Sequence, residues 1–359
     1  MSAIVETFNL NDYYFPTIFP LKQTKFLTWK TLKTKIGLHI AADLIARGAR
    51  LSEKARNVVE RIEGDIPKIG IERKMTETEL QEYQQLVALA DGQQDLVDLV
   101  EAWADDMQFC WNGAGARIEW MALHQMSHAG KLKVTSENNN HVVSEYDADY
   151  AIPADQKMGV AAKWKGNPTN AKPFSVDFKK VVKASRASSK GAIRLKHVWM
   201  SQDTFNSLVE TAECQKLCAS YVANALSMQT TPDLAAVNSM MAKLPYLYGL
   251  QLHVIDQDIT FEAEDGTQTS GNPFAENVCL FTENVQLGNT WWVTPVDASI
   301  TGTAATKVMR QYCLLKKFAN EDPVEEVTQG ICNAFPGWAG SERSYSLDVY
   351  NSTWNEGKE

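Results

Sequence analysis

Between Leu96 and Met121, the apolar residues Leu96, Leu99, Trp103, Met107, Cys110, Ala114, Ile118 and Met121 recur at spacings of three or four. This is the period of one helix face. Carried on to His128, the pattern predicts one helix about 50 Å long at 1.5 Å per residue. The expected span is about 93–128, a structural spine with an acidic outer face. Gly113 and Gly115 lie inside it and weaken the helical pattern. Upstream, Thr76-Glu77-Thr78-Glu79 reads as a capping box opening a shorter helix, which Asp91-Gly92 breaks.

What flanks the spine reads as an arm, strands and shorter helices. Residues 1–32 form an arm in which Tyr13-Tyr14-Phe15-Pro16-Thr17-Ile18-Phe19-Pro20 packs four aromatics and two prolines. The prolines oppose helix and central strand. The aromatics need a neighbour to bury them, either the same chain or another copy. In residues 33–74, Ile36, Leu38 and Ile40 alternate like a strand, Arg47-Gly48-Ala49-Arg50 reads as a turn, and residues 66–71 read as a returning strand. Lys131–Val134 and Val142–Tyr146 flank Asn138-Asn139-Asn140 as a hairpin. Further on, the pattern predicts a helix over 171–186, a strand over 195–200 and a helix capped by Ser201 that carries Phe205, Leu208, Val209 and Leu217. One or two more helices are expected between 219 and 244, then a strand at 250–254, an exposed loop at 263–276, and strands at 277–283, 289–294, 306–317 and 344–350. The fold class is α+β, with no internal repeat.

The chain has 359 residues, of which 44% are apolar and 22% charged, so it can bury a sizeable core in two or three domains. No run of 18 apolar residues exists, so no membrane helix is expected. The opening MSAIVETFNLNDYYFP lacks the basic-then-apolar pattern of a secretory signal. Six cysteines in a chain this long are not a disulfide framework and fit a reducing compartment. The net charge of -9 is unevenly laid out. Residues 22–74 carry 13 bases and six acids, 75–149 three and 14, 150–200 eleven and two, and 201–300 two and 12. Blocks of opposite sign suggest surfaces that meet, within one subunit or between copies. An acidic chain is not a tight general binder of nucleic acid.

Chemistry-bearing motifs are weak. His124 and His128 have the i,i+4 spacing of a zinc protease, but Gln125 stands where the general base belongs. Cys214 and Cys218 share that spacing without a second pair at zinc-finger distance. Gly130-Lys131 lacks the upstream glycine of a phosphate loop, and Asn112-Gly113-Ala114-Gly115 follows no strand. Asn351-Ser352-Thr353 fits a glycosylation acceptor, which means little without a secretory signal. No catalytic, cofactor or metal residue is assigned, and a structural role rather than an enzyme is expected.

The order of segments is more informative. The aromatic arm Phe15-Pro16-Thr17-Ile18-Phe19-Pro20 and the basic segment with Arg47-Gly48 precede the acidic helix ending in Arg117-Ile118-Glu119-Trp120-Met121. Gly130-Lys131-Leu132, Tyr146-Asp147-Ala148-Asp149-Tyr150, Trp164 and Met200-Ser201 follow. Near the end come Gly288-Asn289-Thr290, Asp322-Pro323-Val324-Glu325-Glu326-Val327 and Ala334-Phe335-Pro336. In that order the whole chain resembles the major capsid proteins of tailed bacteriophages, with the Hong Kong 97-type fold, on the branch of the lambda major head protein.

The resemblance implies an N-terminal arm (1–32), an extended loop (33–74), a peripheral domain split between 75–170 and 303–359, and an axial domain (171–302). It implies self-assembly into pentamers and hexamers of an icosahedral head enclosing double-stranded DNA, which is contacted only weakly. Implied partners are further copies, with scaffolding, portal and decoration proteins. Implied locations are the virion and, during assembly, the host cytoplasm. No cofactor and no membrane are implied. Tyr14, Phe15, Phe19 and Trp29 in the arm and Arg47, Arg50, Arg56 and Lys68 in the loop are the expected inter-subunit contacts. Two other readings stand beside it: an encapsulin-like nanocompartment shell, and a soluble hydrolase without a local motif.

Overall fold

A computed structural model describes residues 5–34, 59–89, 93–135, 139, 146–219, 231–263 and 266–355. In chain order the elements are α1 (Phe15–Ile18), β1 (Leu21–Gln23), β2 (Thr28–Thr34), β3 (Val59–Asp65), β4 (Lys68–Thr76), α2 (Glu77–Leu89) and α3 (Gln93–Ser127). They continue with β5 (Lys131–Val134), β6 (Tyr146–Asp149), β7 (Lys157–Gly159), α4 (Lys179–Ser188), β8 (His197–Ser201), α5 (Gln202–Val209), α6 (Ala212–Cys218) and α7 (Leu234–Lys243). Next come β9 (Gln251–Ile255), β10 (Ile259–Glu262), β11 (Gln268–Gly271), β12 (Val278–Thr282) and β13 (Gly288–Val293). The last strands are β14 (Thr306–Arg310), β15 (Cys313–Glu321), β16 (Val324–Trp338) and β17 (Tyr345–Asp348). Contacts divide the chain into two units, one of residues 1–30, 63–122 and 288–337, the other of 31–62, 123–287 and 338–359.

The first unit is built on a six-stranded sheet ordered β1-β13-β16-β15-β14, with β4 also paired to β16. Antiparallel β15 and β4 flank β16, pairing Cys313 with Cys332 and Ile71 with Gly330. From Gly330 to Phe335, only buried residues occur in β16, as expected of a strand covered on both faces. The apolar face of α3 is Met107, Cys110, Trp111, Ala114, Ile118 and Met121, all buried. A Cβ on Gly330 would stand 2.7 Å from the Cys110 carbonyl oxygen, so the two main chains approach closer than any side chain permits. The capping box is formed: Glu79 Oε2 accepts from the Thr76 amide at 2.7 Å and from its hydroxyl at 2.8 Å.

The second unit holds a five-stranded sheet ordered β7-β17-β12-β8-β9. Its central strand, Val-Cys-Leu-Phe-Thr, is buried throughout. Helices supply the rest of its core: Phe174 and Phe178 from a π-helical turn at Pro173–Phe178, Val181 and Val182 from α4, Leu208 from α5 and Met241 from α7. Ser201 caps α5, accepting from the Thr204 amide at 3.2 Å. Strands β8 and β9 are parallel, as a helical crossover between them requires.

Several expectations change. Pro16 sits in the first turn of α1, where a missing N–H costs nothing, so the arm does hold a helical turn. The helix capped by Ser201 stops at Val209; Thr211 starts a new one by accepting from the Cys214 amide, and Leu217 lies on that second helix, exposed. In the second hairpin strand the described pairing runs over Tyr146–Asp149, three residues beyond the expected end at Tyr146. Polar β11 pairs with β10 inside the expected loop at 263–276. The strand read over 306–317 is two, because Gln311 takes a left-handed turn between β14 and β15. The fifteen residues of β16 were read only as short motifs, since Gly330, Pro336 and Gly337 interrupt its apolar pattern. Glu119 is buried, against the expected acidic outer face. The strand at Ile36–Ile40, the Arg47-Gly48 turn, Asp91-Gly92 and Val142–Glu145 lie outside the described residues.

Gly330→Ala is expected to lower unfolding stability by about 1–3 kcal/mol, the usual cost of overpacking. Gly70→Ala, whose Cβ meets only Gly330 O at 3.9 Å, is expected to stay within about 0.5 kcal/mol. Denaturant midpoints of the two variants measure the difference; equal shifts would remove the close crossing as the cause.

Candidate functional site

The arm is pinned to its own unit through main-chain groups. Glu119 projects from α3, and its two carboxylate oxygens accept from the backbone N–H groups of Tyr14 at 2.9 Å and Phe15 at 2.7 Å. These are amides at the start of α1, which lack helical partners. Burial pushes the Glu119 carboxyl up to about 7, and the two amides pull it partly back. Tyr13 donates to the Asn112 carbonyl at 2.9 Å, and its phenol is pushed up to about 12, by burial first and then by Glu119 and Asp12. Downstream, the Thr290 hydroxyl donates to the Phe19 carbonyl at 2.7 Å, and β1 pairs in parallel with β13. Upstream, Arg310 donates to the carbonyls of Glu6 at 2.8 Å and Phe8 at 3.1 Å.

This geometry settles where the arm's aromatic side chains lie. Phe15 and Phe19 are fully buried, with Phe15 edge-on to Tyr312. Trp29 stacks on Phe335 with ring centroids 4.9 Å apart. All three are core residues of their own unit, so the same chain is the neighbour that buries them, and they present no free surface to another copy. Tyr14 is half-buried. Lys68 is exposed, with its ammonium 3.5 Å from Asp297. Arg47, Arg50 and Arg56 lie outside the described residues. The sequence reading missed Phe26 and Leu27, which are 70% and 56% exposed within the same arm. An adjacent apolar pair between Lys25 and Lys30 has no periodic partner, so no pattern marked it.

The chemistry-bearing candidates stand as separate pairs among the described residues. His124 and His128 stack with centroids 3.7 Å apart, and His128 Nδ1 lies 2.9 Å from the His124 carbonyl oxygen and 3.0 Å from Ser127 Oγ. Among the described residues, no group of three or more His, Cys, Asp or Glu is placed to hold a metal ion. Cys214 and Cys218 are free thiols on α6, one buried and one half-buried. His197 Nδ1 and His253 Nε2 are 3.0 Å apart, and burial pushes His253 down to about 4. A cleft of about 630 Å³ in the second unit is bordered by Arg194, Lys196, Glu283 and Arg343, with no histidine or cysteine in its lining.

A family model described as phage major capsid protein E matches residues 9–334. Among solved structures, the chain is similar to one described as a prophage capsid protein from E. coli CFT073, at 14% identity over 97% of each chain with a TM-score of 0.56. It is similar to a phage-related protein of Bordetella bronchiseptica RB50, at 12% identity over 97% of this chain and 95% of that one, TM-score 0.55. It is also similar to the capsid of cyanophage A-1(L), at 11% identity over 96% of this chain and 94% of that one, TM-score 0.52. No curated protein sequence matches. The fold is the Hong Kong 97-type capsid fold.

The Glu119 clamp carries a pH signature. Its folded value lies above the ordinary carboxylate value, so the folded chain keeps a proton that the unfolded chain has released. That contribution is present below about pH 4.5 and is lost as pH rises through about 7, an effect on the order of 3 kcal/mol. Asp177, raised to about 6 by burial, acts with the same sign, while the depressed His253 acts oppositely. The readout is therefore the difference between wild type and Glu119→Gln. Denaturant midpoints from pH 5 to 8 are expected to fall more steeply in wild type; parallel curves would clear Glu119 of the effect.

Proposed function

The chain belongs to the phage major capsid protein E family and is a structural capsid protein, and from that premise we propose that its copies close as pentamers and hexamers into an icosahedral head around double-stranded DNA. The observation that carries the reading is the family match across residues 9–334, which takes in most of both contact units. Assembly is mechanical: many individually weak contacts between copies add up when geometry lets them engage together. No catalytic step and no cofactor form part of this function.

Exposed residues are the first candidates for the contacts between copies. Apolar anchors ringed by charge mark the centre of an interface. Phe26 and Leu27, beside exposed Lys25 and Lys30, have that character, and a second copy of this chain is their occupant. The exposed Lys68–Asp297 pair is worth little by itself, so Lys68 can exchange Asp297 for an acid of an adjacent copy. Tyr14, Arg47, Arg50 and Arg56 remain in this proposal, the three arginines because the basic block 22–74 complements the acidic block 75–149. The division into arm (1–32), extended loop (33–74), peripheral domain (75–170 and 303–359) and axial domain (171–302) is proposed on the resemblance alone; the two contact units divide the chain differently. Scaffolding, portal and decoration proteins are the further proposed partners. Assembly would proceed in the host cytoplasm, and the product is the shell of the virion.

Size-exclusion chromatography and negative-stain microscopy test this. Wild type is expected to give shells, tubes or rings, alone or with the products of its neighbouring genes. A Phe26→Asp, Leu27→Asp variant is expected to lose about 2 kcal/mol or more at each contact, and closed particles should disappear. Its folding stability should move by no more than about 0.5 kcal/mol, since both side chains are exposed. A monomer from wild type under both conditions would sink the self-assembly reading.

A further inference from the structure

Helix α4 carries a cationic face that forms no ion pair among the described residues. Lys179, Lys183 and Arg186 fall within one stripe of the helix at i, i+4 and i+7. Lys190 follows in the left-handed turn after it. The three lysines are exposed and Arg186 half-buried, while Val181, Val182 and Ser185 face the core. Tyrosines interleave with the cations. The Arg186 guanidinium lies 3.3 Å from the ring centroid of Tyr248, and Lys179 Nζ lies 5.3 Å from that of Tyr246. Tyr248 is largely exposed.

None of these four cations forms an ion pair among the described residues. Three acids of the same unit are committed elsewhere. Asp177 accepts from Trp164 Nε1 at 2.9 Å. Glu213 accepts from the amides of Phe174 and Ser175. Glu283 holds Arg343 and the Arg194 amide. Unpaired cations held against aromatic faces are preorganised donors for an anionic surface. Between the charges stand only Ala184 and Ala187, and the exposed ring beside them, Tyr248, lies under the Arg186 guanidinium. An array of phosphates fits it: duplex DNA offers one charge per about 1.7 Å of axis, and Lys, Arg and Tyr are its usual backbone donors.

We propose that Lys179, Lys183, Arg186 and Lys190, with Tyr246 and Tyr248, bind the phosphate backbone of double-stranded DNA without reading its sequence. The choice of DNA rests on the reading of a shell around double-stranded DNA. In a chain of net charge -9, the face is a local foothold on a repelling wall, which gives oriented, salt-sensitive contact instead of tight coating.

The test measures binding of the full chain to a random-sequence duplex by fluorescence anisotropy across a salt series. Lys179→Gln, Lys183→Gln, Arg186→Gln is expected to weaken binding at low salt about tenfold or more, and to flatten the slope of log K against log salt by about 3. A charge-matched control away from both surfaces, Lys22→Gln, Lys133→Gln, Lys316→Gln, should keep the wild-type slope. The variant Lys179→Arg, Lys183→Arg, Arg186→Lys should keep binding, which separates charge from loss of fold. Equal losses in the α4 variant and the control, or none in the α4 variant, would overturn the proposal. So would an α4 variant that binds duplex normally but no longer assembles, because the face would then serve an acidic protein surface. Failure of wild type to assemble would count against the shell and leave the binding comparison to decide the face.

Discussion

The close crossing of α3 over β16 is the constraint on which the first unit depends. Gly330 lacks the one atom that would hold the helix off the sheet. With the main chains in contact, Met107, Cys110, Trp111 and Ile118 reach the sheet and are sealed from water. The same approach builds the aromatic wall of Trp111 and Tyr312, centroids 4.8 Å apart, against which Phe15 is laid. Strands β15 and β4 then complete the hydrogen bonding of β16 on its two edges, so no polar main-chain group of its central stretch is left for solvent to compete over.

Glu119 turns that packing into a mounting for the arm. A buried carboxylate is costly unless hydrogen-bonded, and here the two amides at the start of α1 supply the bonds. Phe15, Phe19 and Trp29 are consumed in the unit's own core, while Phe26 and Leu27 of the same arm are exposed. In the proposed shell, the residues that hold the arm in place differ from those left for a neighbour. The second unit shows the same economy with charge. Its acids Asp177, Glu213 and Glu283 are spent on internal donors, while the cations of α4 are left outward.

Much of this was legible in the sequence. The spine, its bounds within a residue or so, the capping box at Thr76–Glu79, the Ser201 cap and the α+β class all follow from local pattern, because each depends on residues a few positions apart. The order of soft motifs pointed to the right family and fold. The arm's two possible homes were also readable, but choosing between them was not: Phe15 and Phe19 look alike in sequence whether Tyr312 or another copy covers them. Long strand β16 escaped because its glycines and Pro336 break the apolar alternation that local reading relies on, while its partners lie far along the chain. Glu119 looked like one more acid on a solvated face, since its partners, the amides of Tyr14 and Phe15, are invisible to side-chain pattern.

Sequence alone therefore determined the helical spine, the caps, the charge blocks and the family resemblance, all carried by local spacing and order. Tertiary structure decided which groups are used up and which remain free. It buried Phe15, Phe19, Trp29 and Glu119, exposed Phe26 and Leu27, and left the α4 cations without an acidic partner among the described residues. The physical reason is that burial and charge pairing are set by contacts between segments a hundred or more residues apart, such as Phe15 with Glu119 and Phe19 with Thr290, and no local pattern encodes those.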